Sequence, residues 1–444
     1  MTNTINYLKK NKYQIIELII IFIITLLFNL ICLTPVHDEI WNYGFSYNIA
    51  SGLIPYKDFN MVITPLFPLL GALFLTIFGK NIISYYIFNS IICIIIFYQI
   101  KRFTPKSYYI VYSIFLFFSL PNYNVFCLLL LYILMTMEDK KTNHYLIGIV
   151  LGLTFLTKQT IGLYLCIPTL FIKDFKNMFK RFIGFLIPII FLLIYLISNN
   201  ILYPFIDYVF LGVSSFAKNN FNYYTSCLII LIISIVYLIY KYIKTKDIKL
   251  IYLLCFEGVA FPIIDPYHVM IPFIPTFSYF LKGLNLNKKI IQTSFLIFIT
   301  IIFSFNIYQL TTPKYSYPNN LEVYKYHKFN IEVIKSINEI KEYLSSTDSQ
   351  IFIIDMYAYL LKLESSIPIN KYDLLNDGNL GKNGEFKIIN EIDSICQKEK
   401  CTFLLNEKEL TKRISQYNPQ ILNYVDTTYK KVNNIRGITI YQNY

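Results

Sequence analysis

The chain has 444 residues, 55% of them hydrophobic and 18% aromatic, with only 15% charged and a mean hydropathy of +0.48. So few charges over such a length exclude an ordinary soluble globular protein. The apolar residues fall in blocks close to the ~20 residues that cross a bilayer, and backbone groups in hydrocarbon must be bonded within their own segment, so the blocks read as membrane helices.

The first block, 14–33, follows Lys9, Lys10 and Lys12 but is too long for a signal peptide and lacks a small-residue cleavage site, so it reads as a retained anchor. Next, "DEIWNYGFSYNIASG" (38–52) spaces Ile40, Tyr43 and Tyr47 on a helical face and ends at Gly52, a helix stop. It reads as an interfacial helix begun by Asp38 and Glu39, with Trp41 at headgroup depth. The apolar run 61–79 contains Pro65, Pro68 and Gly71, which suit an interrupted segment lying at the surface. If that run does not cross, the basic clusters at 9–12, 101–106, 140–141, 173–181, 241–249 and 282–289 share one side, and only Lys57, Lys80, Lys158 and Lys218 remain on the other. If it crosses, the bias reverses, so the positive-inside rule favours the first arrangement.

The spans then run over 14–33, 81–100, 107–121, 123–138, 144–157, 159–173, 182–202, 225–240, 249–264, 267–281 and 289–310, about eleven in all. The N-terminus lies inside and the loop 34–80 outside. The net charge of +13 belongs mostly to cytoplasmic loops facing anionic headgroups and implies no nucleic-acid partner. Residues 1–310 thus form an all-α polytopic membrane domain. Residues 311–444 read as a small extracytoplasmic α/β domain, with strands in "QIFIID", "CTFLL" and "GITIYQ" and helices in "GEFKIINEIDSICQKEK" and "KELTKRISQYN". Six cysteines are scattered in or beside apolar runs without metal-ligand spacing, whereas Cys396 and Cys401 sit five apart in the tail. They can pair if the tail is extracytoplasmic, although spacing alone does not establish the geometry.

The charged residues of the outer face are the informative ones. Asp38, Glu39, Lys57 and Asp58 lie on the first outer loop, Lys158-Gln159 at a junction of two helices, and Asp265 and His268 at another junction flanked by Pro262, Pro266 and Pro272. Each has a plain structural account when taken singly. Acids suit a helix N-terminus, a lysine can snorkel, and a histidine can bond a carbonyl. Their sharing of one face from distant parts of the chain points instead to a site. Glu257 stands deeper, and intramembrane acids are functional candidates by default. A transporter or lipid flippase is the alternative, but its site is expected near the midplane.

The acidic pair, "GLIPYKDF" and "TPLFPLLGALFLTIFG", with "FLTKQTIG" and "FPIIDPYH" further on, resemble the GT-C superfamily of membrane glycosyltransferases. The nearest branch is that of the protein O-mannosyltransferases and the lipid A aminoarabinose transferase. The resemblance implies a sugar donor carried on a polyprenyl phosphate, an acceptor hydroxyl on a glycan, lipid or protein, and inverting transfer at the outer face. It implies Asp38 as the base and Glu39 as a residue that orients the acceptor or helps hold a cation. Lys158 and His268 become phosphate contacts, with Lys57 a weaker one and Asp58, Gln159 and Asp265 alongside. A divalent metal is left open by the resemblance, and no dense ligand cluster demands one. The arginines of related patterns are absent from this face, so lysine and histidine take the anion work.

Overall fold

The computed structural model describes residues 12–31, 37–213, 221–282, 287–317, 323, 328–354, 380–382, 384–406 and 419–443. The membrane half contains helices α1 (Lys12–Ile31), α2 (His37–Ala50), α3 (Leu66–Phe78), α4 (Ile82–Phe103), α5 (Tyr108–Leu116), α6 (Tyr123–Asp139), α7 (His144–Thr157) and α8 (Gln159–Cys166). It continues with α9 (Phe175–Ser198), α10 (Leu202–Ile206), α11 (Thr225–Thr245), α12 (Ile248–Phe256), α13 (Pro266–Leu281) and α14 (Lys288–Thr311). Most starts are written in the sequence. Asn81, Asn122, Asn143, Asp174, Asp247, Asp265 and Asn287 each accept a backbone N–H of the first turn through the side chain. Such caps satisfy donors that a helix leaves open.

Five helices among the described residues are long and apolar enough to cross a membrane unaided: Lys12–Ile31, Ile82–Phe103, Phe175–Ser198, Thr225–Thr245 and Lys289–Gln309. Of the eleven spans read from the sequence, these have independent length; Leu66–Phe78, His144–Thr157, Gln159–Phe171 and Leu202–Leu211 are shorter apolar helices. Helix α3, with 13 residues, extends only ~20 Å at 1.5 Å per residue, short of a ~30 Å hydrocarbon core.

Two close contacts organise the bundle. Helices α7 and α9 meet through glycines: a Cβ at Gly148 would stand 2.1 Å from the Arg181 carbonyl oxygen, and one at Gly184 would stand 2.2 Å from that of Tyr145. Small residues let backbones approach where lipid offers no hydrophobic drive. Beside this crossing, the buried Arg181 binds Glu138 at both guanidinium ends (2.7 and 3.0 Å) and donates to the Tyr252 hydroxyl and His144 Nδ1, each at 3.0 Å. Tyr252 donates in turn to Glu138 at 3.0 Å. This network ties α6, α7, α9 and α12, and removing one partner of such a buried pair costs roughly 3–5 kcal/mol.

Among the described residues from Ile331 onward, four strands form a sheet with helices on both faces. Strand pairs β1 (Asn222–Tyr223) with β2 (Ile263–Ile264), and β3 (Tyr315–Ser316) with β4 (Phe329–Asn330), precede it. The sheet order is β5 (Gln350–Ile354), β6 (Cys401–Asn406), β8 (Ile438–Gln442) and β7 (Lys430–Ile435). The β5–β6 pair is parallel and the other two pairs are antiparallel. Alternation divides the side chains. Ile351, Ile353, Leu404 and Ile440 join Ile337, Ile340 and Leu344 of α15 (Ile331–Ser345) in the large core. Phe352, Phe403, Leu405 and Tyr441 pack with Ile388 and Ile392 of α16 (Gly384–Cys396) and Ile421 and Val425 of α17 (Pro419–Thr428). Cys396 and Cys401 are joined in a disulfide, and the helix read over "KELTKRISQYN" lies outside the described residues. The sheet unit is anchored on the membrane half by Asp207, which is 3% exposed. Its carboxylate takes the Lys387 ammonium at 2.5 Å and the Lys382 N–H at 2.9 Å.

Gly148→Val should test the α7–α9 crossing. Overpacking of about 1–3 kcal/mol is expected to lower the thermal midpoint of the purified protein in detergent. An unchanged midpoint would mean that the helices separate without loss.

Candidate active site

A cavity of about 280 Å³ opens where the chain breaks its helices. Trp41, Val62 and Ile63 supply one part of its wall, and Tyr123, Lys158, Gln159, Thr160 and Tyr164 another; Val213, Gly258, Phe261, Pro262, Ile263 and His268 complete it. Sequence positions more than two hundred residues apart therefore share one chamber.

Lys158 sits at the break between α7 and α8. Its extended backbone (φ −149°, ψ 111°) ends one helix and begins the next. The half-buried ammonium donates to Asn124 Oδ1 at 3.0 Å and stands 5.2 Å from the centre of the Tyr123 ring. The neighbouring Gln159 is buried, and its Nε2 donates to the carbonyls of Val62 (3.3 Å) and Val209 (2.9 Å). It ties three cavity-wall segments together.

On another wall, Asp265 caps α13. Its Oδ1 accepts the His268 backbone N–H at 2.8 Å and the His268 ring Nδ1–H at 2.9 Å. A carboxylate acceptor requires the proton on Nδ1, which leaves Nε2 as the other functional nitrogen of a ring on the cavity wall. Burial alone would raise the Asp265 carboxyl. The His268 hydrogen bond, its positive charge, and the backbone N–H groups of His268 and Tyr267 outweigh burial and hold it below its ordinary value of 3.8.

The stretch between α1 and α3 behaves less uniformly. Asp38 stands in the first turn of α2, one turn before the wall residue Trp41, and its side chain lies outside the description. Glu39 is 1% exposed and is not part of the cavity wall; its carboxylate accepts the Tyr86 hydroxyl from α4. Asp58 closes its own loop by accepting the Ile54 N–H at 2.7 Å, and Lys57 is exposed on that loop. The structure thus gathers Lys158, Gln159 and His268 around one cavity with Asp265 behind the histidine, and leaves Glu39, Lys57 and Asp58 off its wall. Residues missed from the sequence are Tyr123 and Asn124. Their signal was "PNYN" (121–124), a proline and a capping asparagine at a helix start. Among the described residues, no group of three or more His, Cys, Asp or Glu stands ready for a metal ion.

The Asp265 contact makes a pH prediction. A carboxyl depressed in the fold stabilises above its unfolded value and loses that contribution as pH falls through the folded value. Asp265→Asn, which keeps a cap, should therefore lower the thermal midpoint at neutral pH. The difference should shrink as pH drops below 3.8; a difference that grew on acidification would contradict the assignment.

No family model and no curated protein matches the sequence. Among solved structures, ArnT from Cupriavidus metallidurans bound to undecaprenyl phosphate matches with a TM-score of 0.59 at 8% identity, over 98% of this chain and 98% of its own. The apo state of the same protein gives 0.58 at 8% identity and the same coverage. The Archaeoglobus fulgidus oligosaccharyltransferase is a looser neighbour, at 0.47 and 10% identity over 96% of this chain and 73% of its own. The chain is a multi-pass membrane protein by its apolar helices and its likeness to ArnT, and its fold is similar to that of ArnT, the lipid A aminoarabinose transferase, itself a membrane glycosyltransferase of the GT-C fold.

Proposed function

We propose that the protein is an integral membrane glycosyltransferase. It would move a sugar from a polyprenyl-phosphate donor to an acceptor hydroxyl at the outer face, with inversion. The observation that carries this reading is the shared cavity: a lysine and a carboxylate-oriented histidine on walls from distant segments, with Trp41 on the wall one turn after Asp38 in the helix His37–Ala50. A polyprenyl-phosphate donor presents an anion next to a neutral sugar, and the cavity combines two nitrogen donors with a largely apolar, aromatic lining.

In the reaction, Asp38 takes the proton of the acceptor hydroxyl as its oxygen bonds to the anomeric carbon. The bond from that carbon to the phosphate oxygen breaks, and both electrons leave with the phosphate. Lys158 and His268 meet the developing charge, where a dry, preorganised cavity makes donors more effective than water. Asp265 keeps the imidazole turned, and Gln159 keeps the walls together. Glu39, bonded to Tyr86, holds the first turn that carries Asp38. No step runs through a metal ion. The division into a membrane domain (1–310) and an outer α/β domain (311–444) is part of the same proposal. The Cys396–Cys401 disulfide supports an oxidising, extracytoplasmic side for the tail.

The test is transfer from the sugar-bearing lipid that co-purifies, with its headgroup identified by mass spectrometry. Asp38→Asn in proteoliposomes should lower turnover by about 10²–10⁴-fold while retaining the lipid. Near-normal turnover of a well-folded variant would remove Asp38 from the chemistry.

A further inference from the structure

We propose that Asp207 is a positioning residue through which the sheet unit sets the wall of the donor cavity. The inference rests on the reading of that cavity as the lipid-phosphate site and adds the group that fixes its shape. The wall segment after α9 is not an ordinary helix. Residues Asp207–Leu211 form a π turn, with the Gly212 N–H bonded to the Asp207 carbonyl at 2.9 Å. Turns this wide are rare and gather at functional sites. This one serves the cavity twice: Gln159, a wall residue, holds the Val209 carbonyl at 2.9 Å, and Val213 just beyond the turn lines the wall itself.

The turn is gripped from the sheet side. Both oxygens of the nearly buried Asp207 carboxylate are taken: Oδ1 accepts the Lys382 N–H at 2.9 Å and Oδ2 the Lys387 ammonium at 2.5 Å. The same ammonium stands 5.8 Å from the centre of the Tyr203 ring in α10, just before the turn. Gly381 makes the fit close. Its φ is +79°, and a Cβ there would fall 2.4 Å from Asp207 Oδ2, so backbone conformation and space both require glycine. Three residues of the sheet unit thus converge on the carboxylate that begins the turn. A buried charge follows its partners, because separation leaves it uncompensated. A shift of the sheet unit therefore moves the Val209 carbonyl and, through Gln159, bears on the wall at Val62.

The experiment measures undecaprenyl phosphate binding to the full chain in nanodiscs by fluorescence of Trp41, the chain's one tryptophan and a cavity-wall residue. Hydrogen exchange of the amides of 207–213 is followed on the same samples. Asp207→Asn, Lys387→Met and Gly381→Ala are each expected to speed that exchange. Each should also weaken binding by about two- to thirtyfold, as substitutions remote from a ligand in a coupled network do. Lys387→Arg, which keeps the charge, should bind like the wild type. Asp207→Asn should add little in a Lys387→Met background, since both break one pair. An anchor that is merely structural would lower the thermal midpoint of the three variants yet leave binding unchanged well below that midpoint, and this result would overturn the proposal. Weakened binding with unaltered exchange at 207–213 would overturn it too. If the wild-type chain itself gives no response to undecaprenyl phosphate, the donor reading falls first, and this inference with it.

Discussion

The cavity depends on one buried amide. Gln159 Nε2 reaches the carbonyls of Val62, in the loop before α3, and Val209, in the segment after α9. Without it, the irregular backbone at Val62 and the short π-helix Asp207–Leu211 would meet the break at Lys158 untied, where an unsatisfied buried polar group costs several kcal/mol. Thr64 adds a parallel tie, its hydroxyl donating to the Phe155 carbonyl at 2.8 Å. Non-helical backbone is tolerated at such depth only where protein groups or a polar chamber satisfy it. The chamber and the breaks are therefore aspects of one constraint.

Much of the fold was legible because that constraint writes long apolar blocks and capping residues into the chain. Helix α2 ends before Gly52, whose φ of +89° is easy for glycine alone. The tail strands were legible from alternation, except β7. Its "KKVNNI" is an exposed, charged edge strand with no apolar face to display. Contacts were legible where the partners are neighbours in sequence, as with Asp265 and His268. They were not legible where they run between helices. In a membrane both faces of a helix are apolar, so periodicity does not tell which face meets protein. Hence the Asn124–Lys158 contact was not legible. Nor was the bond by which Asp58 accepts the Ile54 N–H of its own loop.

The membrane half and the sheet unit are joined by more than a linker. Their hydrophobic cores are continuous through Ile351, Ile353, Leu404 and Ile440. Asp207 adds a nearly buried carboxylate with a lysine and a backbone N–H from the sheet side. Breaking such a pair leaves a charge without compensation, which is dearer than the pair's net contribution. Asp207 stands two residues before the carbonyl held by Gln159, so the tail bears on a cavity-wall segment.

The two adjacent acids of α2 are not equivalent. Glu39 is long enough to bring its carboxylate to the Tyr86 hydroxyl inside the bundle. An aspartate there would be one methylene short, and a glutamate at 38 would push its carboxylate one methylene further from the backbone. A transposed chain would keep the same mass and isoelectric point, yet its bundle would lose the tether to Tyr86. Order within the dipeptide, rather than its acidity alone, thus decides whether a carboxylate reaches the bundle interior.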